Sequence, residues 1–209
     1  MSRKNRAPSA TPRHPAEGVF RIIGGQWRGR RLRFPSLTGV RPTGDRVRET
    51  LFNWLQPVIT GARCLDLYAG SGALGLEALS RGAAAVLFVD RESSLLEAIR
   101  SHLRSLDAEG ASCVCEKAEK FLRRTGRPFD LVFLDPPFGT VDWSRLCTAL
   151  ADGGWLAPGA RVYLEEAADA PSPDLPEGWR ILRSAKAGNV RYHLVSAPER
   201  SPAEAAEDK

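Results

Sequence analysis

Asp135, Pro136, Pro137 and Phe138 stand in a row at the end of the apolar run Phe129 to Leu134. Asp135 accepts hydrogen bonds, and the two proline rings stiffen backbone carbonyls into fixed acceptors. Phe138 adds a flat face for a planar ring. Together they suit a planar ligand carrying an N–H2 group; the plainer alternative is a strand that stops at an ordinary proline turn. In open α/β sheets, ligands sit outside the carboxyl ends of strands, which is where such a tip points.

A second stretch carries chemistry. Gly70-Ser71-Gly72-Ala73-Leu74-Gly75 has the glycine spacing of a dinucleotide loop, and Asp90 follows about twenty residues on, where a ribose-binding acid belongs. A glycine loop alone is also compatible with a tight turn that needs positive φ. Asp66 directly precedes the loop, where a pyrophosphate would lie. An acid there repels a diphosphate and attracts a cation. S-adenosylmethionine carries an ammonium and a sulfonium and no phosphate, so Asp66 favours it over NAD. Candidate cofactor contacts are Asp66, Tyr68, Gly70, Ser71, Gly72, Asp90, Arg91 and, at the end of the next strand, Glu116, Lys117 and Ala118.

The elements that must position these residues follow from the pattern. Breakers bound strands at Arg63 to Tyr68, Ala84 to Asp90, Ser112 to Cys115, Phe129 to Leu134 and Arg161 to Glu165. Amphipathic helices are expected between them, at Ala73 to Arg81, Ser93 to Leu106, Phe121-Leu122 and Trp143 to Leu150. Trp179 to Ala185 and Val190 to Ser196, turning at Gly188-Asn189, close the chain as an antiparallel hairpin. The prediction is an α/β fold with a doubly wound, mostly parallel seven-stranded sheet. Ahead of it, Val19 to Ile23 and Trp27 to Phe34 predict a β-hairpin turning at Gly24-Gly25, with Trp27, Gly29 and Arg31 opposite the other basic residues. Thr43 or Asp45 then caps a helix reaching Gln56, its buried stripe being Val47, Leu51, Trp54 and Leu55. Arg46 and Arg48 face either a binding partner or plain solvent. The expected division is a tail at 1–17, the hairpin extension at 18–42, the main domain at 43–197 and an acidic tail at 198–209, both tails disordered.

The chain has 209 residues and a net charge of +5. Residues 1–34 hold nine Arg and Lys against one acid, Glu17, so a basic module sits on a mildly acidic body. That points to a polyanion, most often nucleic acid, with a solvated charged face as the alternative. Arg interleaved with Trp27, Leu32 and Phe34 favours a folded binding surface. No apolar run reaches a membrane span, and the N-terminus has no signal-peptide core. The four cysteines fit no zinc spacing, and the three histidines lie far apart. We therefore expect a cytoplasmic monomer with reduced cysteines, no membrane and no metal.

From about Phe20 to Val195 the chain resembles the RsmD family of small-subunit rRNA guanine-N2 methyltransferases. The matching stretches are Arg21 to Arg30, Arg41 to Phe52, Asp66 to Gly75 and Asp135 to Phe138. The glycine loop and the tip recur in many amino-methylating enzymes; the first two stretches are more specific. Gly44, where the pattern has a second Thr, and Lys117, where such enzymes often have Asp or Asn, depart from it. The resemblance implies a Rossmann-like class I methyltransferase that uses S-adenosylmethionine. It implies methylation of the exocyclic N2 of one guanine in 16S rRNA, within the small ribosomal subunit or an assembly intermediate. Asp135, Pro136, Pro137 and Phe138 would be catalytic. Arg21, Arg28, Arg30, Arg31, Arg33, Arg41 and Thr43 would contact RNA. An amino-methyltransferase for another RNA, DNA or protein glutamine, an NAD-dependent oxidoreductase, and a non-catalytic assembly factor are the alternatives.

Overall fold

Strands form where apolar residues run without interruption, because both faces of the central sheet are covered. The computed structural model describes residues 17–37 and 43–198. The expectations for 1–16, Arg41 and 199–209 lie outside the described residues. Seven strands make one sheet: β3 (Arg63–Asp66), β4 (Ala85–Asp90), β5 (Ala111–Cys115), β6 (Phe129–Leu134), β7 (Leu156–Ala167), β8 (Arg180–Ala187) and β9 (Val190–Ser196). Their order is β5-β4-β3-β6-β7-β9-β8, parallel through β7 and antiparallel at β9 and β8. The α/β, doubly wound, seven-stranded expectation holds, closing hairpin included. β7 is longer than its apolar pattern suggested, because it pairs with β9 along most of its length.

Helices α1 (Asp45–Leu55), α2 (Ala73–Ser80) and α3 (Ser93–Ser105) cover one face, sharing a core with Phe88, Leu131 and Phe133. Helices α4 (Ala118–Phe121) and α5 (Trp143–Asp152) cover the other, over Val89, Val132 and Leu134. Because β4 and β5 lie to one side of β3 while β6 and β7 lie to the other, the strand order reverses between β3 and β6. A crevice at such a reversal is where this architecture binds ligands. Among the described residues no helix is long and apolar enough to cross a membrane.

The N-terminal extension is a separate two-stranded sheet, β1 (Glu17–Arg21) with β2 (Arg31–Pro35). Phe20, Leu32 and Phe34 point into the main core while Arg31 and Arg33 are exposed. Arg31 therefore shares the outer face with Arg33, a correction to the expected alternation. Gly24-Gly25 does not form a two-residue turn either. Residues 22–30 are diverted onto the end of α2, whose last carbonyls need donors. Gln26 N–H donates to the Ser80 carbonyl at 2.8 Å, and Trp27 N–H to the Ser80 hydroxyl at 3.0 Å. That hydroxyl donates in turn to the Gly24 carbonyl at 2.6 Å. The approach is so close that a Cβ on Gly25, whose φ is +76°, would lie 1.7 Å from the Ser80 oxygen.

Candidate active site

Three acids converge on one face at the carboxyl ends of neighbouring parallel strands. Asp66 ends β3, Asp135 follows β6, and Glu165 lies on β7 one step past the Leu134–Leu164 register pair. Asp66 is buried and accepts from the Gly75 N–H of α2 at 3.0 Å. Burial, opposed by that bond and reinforced by Asp135 and Asp90, pushes its pKa up to about 7. Burial also raises Asp135, against the pull of the Thr43 hydroxyl, which donates to its Oδ2 at 2.9 Å. Glu165 is raised by burial and by the charge of Asp135, while the Tyr163 hydroxyl donates to it at 2.6 Å.

The loop between β3 and α2 needs its glycines. Gly70 and Gly72 take φ of +51° and +77°, and a Cβ on Gly72 would meet Ile99 at 2.8 Å. Asp90 braces the loop, accepting from Gly70 N–H at 2.8 Å and Glu92 N–H at 2.9 Å. Each carboxylate oxygen keeps a second lone pair for a hydroxyl. Tyr68 stands at the loop entrance, its buried hydroxyl without a hydrogen-bond partner among the described residues. Two acids, loop amides and an orphaned hydroxyl suit a cationic nucleoside, and the loop from Asp66 to Gly75 carries no basic residue to meet a diphosphate. The residues present fit S-adenosylmethionine.

The sequence-derived candidates do not all fall together. Ser71 is buried in the loop, and Arg91 is exposed beside Asp90, paired with Glu92 at 3.2 Å. Glu116 is committed elsewhere: Lys120 at 2.9 Å and Arg124 at 2.5 Å hold it, the former chiefly lowering its pKa. Lys117 is exposed and Ala118 buried at the start of α4. Pro136 is buried, Pro137 exposed, and Phe138 stands out at the rim, 48% exposed. The Pro137 carbonyl is taken by the Thr140 hydroxyl at 2.6 Å, leaving Pro136 as the stiffened acceptor.

Thr43, expected among the RNA contacts, is buried with its hydroxyl on Asp135. Nor does it or Asp45 cap α1; Gly44 occupies that position without a side-chain bond. Arg28, Arg30, Arg31 and Arg33 are exposed on the hairpin, Arg33 pairing with Glu17 at 3.0 Å. Arg21 pairs with Asp45 at 3.1 Å and stays half exposed. Sequence reasoning missed Glu165 and Tyr163. Glu165 takes its place beside Asp135 from the Leu134–Leu164 register between β6 and β7, which neither strand's own pattern carries.

Three acids with raised pKa values bind protons that the unfolded chain releases at lower pH. Their stabilising share is complete below the ordinary carboxylate range and lost as pH climbs toward about 7, the value for Asp66. The ligand-free protein should therefore melt several degrees lower at pH 8 than at pH 5, each group contributing up to about 1.4 kcal/mol per pH unit. Asp66→Asn should flatten that slope in a calorimetric series; an unaltered slope would count against a buried, raised Asp66.

The family profile described as conserved hypothetical protein 95 matches residues 20–196. Ribosomal RNA small subunit methyltransferase D of Escherichia coli K12 is 47% identical over 183 residues, 88% of this chain and 92% of that protein. The protein of the same name from Haemophilus influenzae is 43% identical over 183 residues, covering 86% and 94%. The solved structure of Escherichia coli methyltransferase yhhF superposes with a TM-score of 0.81 at 44% identity, over 88% of this chain and all of that one. With its glycine loop, its Asp-Pro-Pro-Phe tip and a likeness running nearly end to end, the chain belongs to the conserved hypothetical protein 95 family, that of the ribosomal RNA small subunit methyltransferases D.

Proposed function

We propose that the protein transfers a methyl group from S-adenosylmethionine to the exocyclic N2 of one guanine in 16S rRNA, in the small ribosomal subunit or an intermediate of its assembly. The observation that carries this reading is the placement of the Asp66 loop and the Asp135 tip on neighbouring strands, β3 and β6. Asp66, Tyr68, the Gly70–Gly72 loop and Asp90 would hold the cofactor, which supplies an electrophilic methyl on its sulfonium.

A guanine amino nitrogen is a weak nucleophile because its lone pair is delocalised into the ring. Asp135 Oδ1 and the Pro136 carbonyl accept its two N–H groups and turn the lone pair out of conjugation. Phe138, exposed at the rim, stacks on the splayed-out base. Charge developing on the nitrogen is stabilised by Asp135, and once the new N–C bond has formed the amino proton passes to Asp135 Oδ1 and from there to solvent. Placement supplies much of the remaining rate.

The hairpin's exposed Arg28, Arg30, Arg31 and Arg33 would grip phosphates without reading sequence. Replacing Arg28 and Arg31 by Gln should reduce the slope of log affinity against log salt by about 0.7–0.9 per lost contact. An unchanged slope would remove the hairpin from the RNA interface.

Labelled S-adenosylmethionine and small subunits from a strain lacking the enzyme test the function. A single N2-methylguanine mapped on 16S rRNA is the expected result. Cofactor binding with no RNA methylation would move the substrate to DNA, protein or another RNA. No cofactor binding would leave an assembly factor.

A further inference from the structure

Arg48 and Glu77 are completely buried, 3.2 Å apart, and touch none of the reacting groups. Two ions taken out of water are tolerated only when their remaining donors and acceptors are also satisfied. Those bonds run in two directions. Toward the hairpin, Glu77 accepts from the Ile23 and Gly24 N–H groups, both at 2.8 Å. Arg48 Nη2 donates to the Arg21 carbonyl at 2.8 Å, and its guanidinium lies 5.6 Å from the centre of the Phe20 ring. Toward the crevice, Arg48 Nε donates to the Thr43 carbonyl at 3.0 Å. The hydroxyl of that same Thr43 donates to Asp135 Oδ2 at 2.9 Å.

We propose that Arg48 is a positioning residue for methyl transfer: one buried guanidinium seats the hairpin through the Arg21 carbonyl and aims Asp135 through Thr43. This rests on the reading of Asp135 as the acceptor of the guanine amino group. The Thr43 hydroxyl has one proton, and giving it to Oδ2 fixes the plane of the carboxylate. Oδ1 is then left without a hydrogen bond among the described residues. Without that bond the terminal torsion of an Asp side chain is broad and nearly two-fold, so either oxygen could face the substrate. The same bond opposes the effect of burial on Asp135. The other groups facing Asp135 are Asp66 from β3 and Tyr163 and Glu165 from β7, and none of these is a cation. Among the described residues, Thr43 is therefore the group that opposes the protonation of Asp135. Because Arg48 holds both Thr43 and the hairpin, a loosened Arg48 weakens the grip on the subunit and misaims the acid together.

The test compares Thr43→Val, Thr43→Ser, Arg48→Lys, Arg48→Lys/Thr43→Val and Asp135→Asn. Methyl transfer to small subunits is followed against pH, with cofactor affinity by calorimetry and folding by thermal melts. Thr43→Val should lower kcat by about 10–100-fold through misplacement. It should also move the acidic limb of the profile to higher pH and leave cofactor affinity in place. Thr43→Ser should restore kcat and limb. Arg48→Lys should show the same limb shift and, unlike Thr43→Val, a raised KM for subunits. The double variant should have the kcat of Thr43→Val alone, because both changes act on one carboxylate. Should Arg48→Lys not fold, Arg48→Gln/Glu77→Gln, which replaces the ion pair by a neutral one, takes its place with the same expectations. A wild-type pH limb in the Arg48 variant, or losses that multiply in the double variant, would overturn the relay. Full turnover by Asp135→Asn would instead overturn the reading of Asp135. An inactive Asp135→Asn beside an unaffected Arg48 variant would sink the relay alone.

Discussion

Asp135→Ala should reduce methyl transfer by about 10²–10³-fold, the usual loss when a group aimed at developing charge is removed. Its affinity for S-adenosylmethionine should stay close to wild type. The separation follows from where the acids lie. Asp66 and Asp90 are bonded to the glycine loop, through Gly75 and Gly70, and Asp135 is not. Asp135 is bonded to Thr43 and stands beside the proline acceptor and the exposed Phe138. Deleting it therefore strips the amino group of its acceptor without disturbing the loop. Asp66→Ala should show the opposite balance, weak cofactor binding dominating the loss. Single-turnover rates with calorimetric affinities check both. If Asp135→Ala kept near-wild-type rates, the acceptor would have to be sought at Glu165.

The second large effect is on stability. Glu77→Ala should destabilise the fold by about 3–5 kcal/mol, since it takes from a buried charge its one fully buried counter-ion among the described residues. Arg48 has no exposure through which to recover solvation, and its other carboxylate partner, Asp45, is half exposed. Arg81 loses its 2.7 Å partner, and the Ile23 and Gly24 N–H groups lose their acceptor. For a chain of this length the melting temperature should fall on the order of 10 °C. Trypsin should then cut within residues 28–33, which intact docking protects. A Glu77→Ala protein melting within 2 °C of wild type would show that the pair contributes specificity rather than stability.

The sheet and the tip were legible because their signals are local. Leu134-Asp135-Pro136-Pro137 announces a strand end by chemistry that no tertiary contact can override. Glycines at 70 and 72 have the conformations that their loop requires. Arg48 was not legible. It sits on an amphipathic helix next to Val47, where an arginine normally points to water, and its partner Glu77 is 29 residues on. Glu77 did carry a signal, being an acid inside the apolar stretch Ala73-Leu74-Gly75-Leu76-Glu77-Ala78-Leu79. A charge on a helix with no polar side implies a buried counter-ion, but local pattern cannot say which residue supplies it. The hairpin turn failed for the same reason. Gly24-Gly25 has the composition of a tight turn, and contacts with Ser80 reshape it. Glu165 was hidden because register across β6 and β7 is a property of the sheet, not of either strand.

The hairpin loop is docked on residues that are synthesised long after it. Ile23 and Gly24 precede Glu77 by 54 and 53 residues, and Gly24 precedes Ser80 by 56. Chains emerge N-terminus first. The arm thus exists for a time as a loose ribbon, with Phe20, Leu32 and Phe34 uncovered and its arginines unshielded. Spatially it is an appendage, yet thermodynamically it is an outlying part of α2. It cannot be cut out and grafted onto another protein as a ready-made arm, because the half of it that holds its shape is encoded in α2.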